Sequence, residues 1–194
     1  SQAVHIALSE IGADFTLEKV DLATKTTESG EDFSKINPLG YVPALELDGG
    51  DVLLEAPAIL QYLADMKPES KLAPAAGTME RVKLQQHLNF TASELHKSFG
   101  PFFAAVKPEG AARDQAMTKL QRRFDALEAL LADGRDYAMG ETFTVADTYM
   151  FVVASWSGII GLDLAPWPNV QKFVARVAAR PRVQDVLKRE GLLN

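Results

Sequence analysis

A chain of 194 residues that is 47% apolar and has no cysteine has ample material for a buried core. It excludes a disulfide framework and any thiolate zinc site within these residues. Its net charge of −6, with lysines and arginines scattered rather than striped, speaks against nucleic acid, whose phosphates need a basic surface. The longest apolar run, Tyr149 to Trp156, is far too short to cross a bilayer, and no basic-then-apolar signal opens the chain, so no membrane and a cytoplasmic setting are expected.

Val4, Ala7, Leu8 and Ile11 recur at helical spacing and stop at Gly12, a natural residue just past a helix end. Phe15 to Val20 reads as a short strand, and the threonine-rich stretch from Asp21 to Gly30 as a surface loop. Pro43 opens a further extended run, where its missing N–H need not join a ladder. Asp48-Gly49-Gly50 is a hairpin turn, and Val52 to Leu54 returns to deliver Glu55 to a helix start with Pro57 in its first turn. A helix N-terminus beside an X-Pro loop is a cradle for an anion or an extended peptide.

From Asp65 to Thr78 the sequence turns rich in Pro, Ala, Gly, Lys and Ser without periodicity, as a linker does. Beyond it Met79 to Val106 and Ala111 to Ala132 are amphipathic helices, the second carrying Met117, Leu120, Phe124, Leu127 and Leu131 on one stripe. Helices after Thr144, Asn169 and Pro181 complete a bundle. Thr144 and Asp147 have the spacing of a reciprocal capping box. His87, Glu94 and His96 lack the i, i+4 ligand pair of a helical zinc site, so no metal is expected.

Three blocks, in order, resemble glutathione transferases: Val42-Pro43 with the hairpin and Glu55-Ala56 before Ala58-Ile59-Leu60-Gln61-Tyr62-Leu63; Asn89-Phe90-Thr91-Ala92-Ser93-Glu94-Leu95-His96, similar to the bacterial beta class; and Gly140-Glu141-Thr142-Phe143-Thr144-Val145-Ala146-Asp147. The resemblance implies an α/β thioredoxin-like domain over residues 1–65, a linker at 66–78 and an all-helical bundle over 79–194. It implies glutathione as cosubstrate without a metal, a small hydrophobic electrophile as the second substrate, a role in detoxification, and a homodimer.

Residue roles follow from the same resemblance. Val42, beside Pro43, offers its backbone to the cysteinyl part of glutathione, a strand-like pairing that needs no particular side chain. Glu55 holds the γ-glutamyl amine. Ala56 stands where the family often has serine, so only a backbone N–H remains there. Lys25 lies in the loop that meets the glycyl carboxylate, and Asn89, Ser93, Glu94, Leu95 and His96 form the helical contact segment. An imidazole titrating near neutrality can steady a thiolate or shuttle its proton, which makes His96 the catalytic candidate. His5 and His87 match no motif and read as structural or surface residues.

The family's first strand has no counterpart here. Roughly ten residues, one strand of about five to six plus a turn, are expected before Ser1. Ser1 matches the serine after the beta-class cysteine, so that cysteine is expected just ahead of Ser1; the alternative is that Ser1 is itself the hydroxyl at the thiolate. Phe99, Phe102, Phe103 and Trp156 are candidates for the acceptor pocket, although large apolar side chains in a bundle are usually core. A glutathione-dependent lyase, isomerase or disulfide reductase on this scaffold, and a non-catalytic ligand-binding protein, are the rival readings.

Overall fold

The computed structural model describes residues 1–193. Helix α1 (Gln2–Ile11) ends on Gly12, whose φ of 64° lets its N–H and that of Ala13 turn back to Leu8. Two short antiparallel hairpins follow. One pairs β1 (Val20–Asp21) with β2 (Thr26–Thr27) and the other β3 (Ala44–Glu46) with β4 (Val52–Leu54), in the register Ala44 to Leu54 and Glu46 to Val52. No ladder joins the two among the described residues. The expected strand from Phe15 to Val20 is therefore shorter than its composition suggests, because a β-prone stretch becomes a strand only where a neighbour completes its ladder.

Helix α2 (Ala56–Met66) then packs on α1. The segment after it is tied down rather than loose. Pro68–Ser70 is a 3₁₀ turn, Leu72 is buried with its carbonyl accepting from Val145 N–H at 2.9 Å, and Lys67 Nζ reaches the Ile11 carbonyl at 2.7 Å. Buried Arg81 binds Asp65 on one side and the Pro74 carbonyl on the other.

The expected helix from Met79 to Val106 is an interrupted one: α3 (Met79–Phe90), a π-helical turn (Thr91–Leu95) and α4 (His96–Phe103). In the π turn the His96 N–H bonds back five residues to Thr91, which inserts one residue and rotates everything beyond it. Then come α5 (Gly110–Leu131), α6 (Val145–Ile160), α7 (Pro168–Ala178) and α8 (Pro181–Arg189). Helix α7 starts at Pro168, one residue ahead of Asn169, since proline is preorganised for a first turn.

Helix α6 is apolar on nearly every face, and Val145, Ala146, Met150, Val153 and Ala154 are fully buried, the pattern of a core helix. It touches α1, α2, α3, α4 and α7. Its start is set by the capping box of Thr144 and Asp147, so the phase of α6 fixes which side chains it offers to the rest of the molecule.

Candidate functional site

The cradle begins at the loop before β3. Buried Asn37 donates from Nδ2 to the Tyr41 carbonyl at 2.7 Å and accepts from Leu39 N–H at 3.1 Å, while Gly40 takes a φ of 64° to bond its N–H to the Asn37 carbonyl. The loop arrives at a cis peptide between Val42 and Pro43. Among the described residues neither the N–H nor the C=O of Val42 has a partner, so an extended ligand backbone can pair with both.

Glu55 links the hairpin to α2. It takes a φ of 67°, unusual for a residue with a Cβ. Its carbonyl accepts from Ala58 and Ile59 N–H, so α2 starts beneath it. The exposed carboxylate makes no ion pair among the described residues, and the Ala56 N–H stands open at the positive end of α2. A ligand carrying both an ammonium and a carboxylate finds a partner for each here.

At the other end His96 stands first in α4, directly after the π turn. Its Nδ1 lies 2.8 Å from the Tyr149 hydroxyl, and its ring meets the edge of Trp156 at 4.8 Å. Burial, and then the charge of Lys97, hold the imidazole below its ordinary pKa, so it is neutral at pH 7. Burial, then the Glu55 carboxylate, pushes the Tyr149 phenol up to about 12. Tyr149 therefore keeps its proton; in the imidazole tautomer that accepts it at Nδ1, Nε2 of His96 is an N–H donor. His96 and Tyr149 thus meet across α4 and α6, with the Glu55 carboxylate near enough to act on the phenol.

The remaining expected residues divide. Lys25, itself at a φ of 58°, turns its ammonium to the Gly40 carbonyl at 2.9 Å, beside the Val42 loop. Asn89 and Ser93 are exposed along the helix, the Ser93 hydroxyl bonding back to the Asn89 carbonyl. The Glu94 carboxylate is paired with Arg123 of α5 at 2.6 Å. Leu95 is completely buried and its side chain packs in the core. Phe99 is likewise core, whereas Phe103 is open to solvent.

Sequence reasoning passed over Tyr149. Its signal was present: Tyr149 and Trp156 are seven residues apart on α6, so the capping box that fixes the helix start puts both aromatics on one stripe. Among the described residues no group of three or more metal-ligating side chains gathers, and no helix is long and apolar enough to cross a membrane.

The glutathione S-transferase N-terminal domain model matches residues 1–66, and the C-terminal domain model matches residues 90–181. Glutathione S-transferase GstA of Escherichia coli O157:H7 is 41% identical over 192 residues, covering 99% of this chain and 94% of its own length. The beta-class glutathione S-transferase of Sphingomonas chungbukensis superimposes with a TM-score of 0.94 at 45% identity, covering 99% of this chain and 94% of that one. A sphingomonad glutathione S-transferase solved with glutathione gives 0.93 at 46%, covering 98% and 94%. The chain belongs to the glutathione S-transferase family, with a bacterial beta-class member among its structural relatives.

Proposed function

We propose that this chain binds glutathione along the cradle and transfers its thiolate to a small hydrophobic electrophile. The observation that carries the reading is the unpaired Val42 backbone beside Glu55 at the start of α2, with the Glu55 carboxylate acting in turn on the Tyr149 that bonds His96. The cysteinyl part pairs with Val42 beside Pro43. Glu55 takes the γ-glutamyl ammonium, and the Ala56 N–H takes the γ-glutamyl carboxylate. Lys25 meets the glycyl carboxylate with the ammonium hydrogens that Gly40 leaves over, and Asn89 and Ser93 supply polar contacts from the helix. The thiol then lies near Ser1 and His96, whose Nε2–H favours a thiolate over a thiol. Attack forms the sulfur–carbon bond, and the leaving group departs with its electron pair.

Residues 1–65 supply the cradle in this reading, 79–194 supply His96 and the acceptor side, and 66–78 connect them. Glu55→Ala is expected to weaken glutathione about tenfold by calorimetry, since a charge-assisted hydrogen bond contributes about 1.5–3 kcal/mol and exposure here favours the lower end. Unchanged affinity would remove Glu55 from the site.

The proposal includes a cytoplasmic bacterial enzyme that detoxifies such electrophiles as a homodimer. Supporting a dimer, Tyr62, Met66, Met79 and Val82 expose apolar surface on α2 and α3, two helices that a hydrogen bond from Gln85 to Gln61 fastens together. Met66→Asp is expected to shift the sedimenting species from dimer to monomer at micromolar concentration. A parent protein that sediments as a monomer would sink this part.

A further inference from the structure

The bundle holds a cavity lined by Phe102 and Phe103 at the end of α4, Ile159 and Ile160 at the end of α6, Pro108 in the connecting loop, and the cations Lys107 and Arg113. Apolar side chains here face open space instead of the core: Phe103 is 46% exposed and Ile159 is 70% exposed. Such surface beside a polar rim is the usual mark of a ligand contact. It is continuous with the site already described. Phe103 stands edge-on to Trp156 at 5.4 Å, and Trp156 stands edge-on to His96 at 4.8 Å, so the cavity begins one indole ring beyond the imidazole.

Its charge is unusual for this chain. The net charge is −6, yet this lining holds Lys107 and Arg113 with no carboxylate. Among the described residues neither cation forms an ion pair. Cations concentrated beside low-dielectric walls make a local positive potential that selects anions. An inorganic anion would leave the phenylalanine and isoleucine surface wet, and a neutral hydrocarbon would gain nothing from the cations. A flat apolar body that carries an anionic group uses both.

Resting on the transferase reading above, we infer that this cavity receives the acceptor and that Lys107 and Arg113 select electrophiles bearing a carboxylate or sulfonate on an aryl body. With an aryl chloride the balance is simple. The thiolate forms a bond to the carbon that carries chlorine, the carbon–chlorine bond breaks, chloride leaves with the bonding pair, and the thiol proton passes to water.

The test pairs 4-chloro-3,5-dinitrobenzoate with 4-chloro-3,5-dinitrobenzamide, which differ in charge at the far end of the ring. For the full chain, kcat/KM is expected to favour the carboxylate. In Lys107→Ala/Arg113→Ala the carboxylate-to-amide ratio should fall about fivefold, the scale of partly exposed charge contacts. Comparing ratios between the two proteins cancels the unequal intrinsic reactivity of the rings. A ratio that is the same in both proteins overturns the assignment.

Calorimetry with the unreactive 3,5-dinitrobenzoate and 3,5-dinitrobenzamide gives a second readout. If neither chloride is conjugated, the transferase reading fails, but the titrations still decide this one. Tighter carboxylate binding that the double variant loses supports it, and equal binding of carboxylate and amide in the parent refutes it.

Discussion

Asp147→Ala is expected to destabilise the protein by about 3 kcal/mol, well beyond the roughly 1 kcal/mol of an ordinary helix cap. The carboxylate is fully buried. Its Oδ1 accepts from Ala138 N–H at 2.7 Å, and its Oδ2 accepts from Thr144 N–H at 2.8 Å and from the Thr144 hydroxyl at 2.9 Å. Alanine would strand these buried donors, each at about 1–3 kcal/mol, less what relaxation recovers. It would also release the loop at Ala138 from the start of α6. For a domain of this size the melting temperature should drop by roughly 10 °C.

The pH dependence has a definite sign. Burial pushes the Asp147 carboxyl up to about 6 against the pull of its hydrogen bonds. Between the ordinary carboxylate range and pH 6 the native state therefore binds more protons than the unfolded chain, and this group's stabilisation is lost as pH rises through that window. The gap between parent and variant should be wider at pH 4.5 than at pH 7. Denaturant midpoints at both pH values measure it, and a gap that widens toward neutral pH would contradict the buried carboxyl.

Asp147 also shows where the sequence stops being informative. The local half of its role, the reciprocal box with Thr144, depends on residues three apart and was legible from spacing. The bond to Ala138 depends on where a loop returns, and no periodicity encodes that. The strand from Phe15 to Val20 failed for a related reason: composition reports a preference, whereas a ladder needs a neighbour. The π turn is invisible in composition because Thr91–Leu95 differs from an ordinary helix only in its longer backbone bonds, such as that from His96 N–H to the Thr91 carbonyl. That turn shifts the phase of the helix at His96, so the motif ending Glu94-Leu95-His96 does not by itself say which way each side chain faces. Leu95 went inward and Glu94 went to Arg123, on a helix whose packing partner no local pattern names. Val42, Pro43 and Glu55 were legible because a proline, a hairpin turn and a helix start all act through adjacent backbone.

The pairing of His96 with Tyr149 leads to the second large effect. His96→Ala is expected to lower kcat about 100-fold, within the range of a positioned proton donor or acceptor, with a melting temperature much closer to the parent's than that of Asp147→Ala. Tyr149→Phe keeps the ring but removes the hydroxyl, and about tenfold is expected. The separation from a packing role lies in pH. The Tyr149 hydroxyl donates to Nδ1 only while His96 is neutral, so removing it favours the protonated imidazole and raises the pKa of His96 from its lowered position toward the ordinary range. The acid limb of kcat/KM should shift to higher pH in Tyr149→Phe, and the imidazole resonances should titrate with it. If His96 only fills space, the imidazole resonances will shift in Tyr149→Phe while the acid limb of kcat/KM stays where it is. If it sets the donor at the sulfur, both curves move together while glutathione affinity changes little, because Val42 and Glu55 still hold the rest of the molecule.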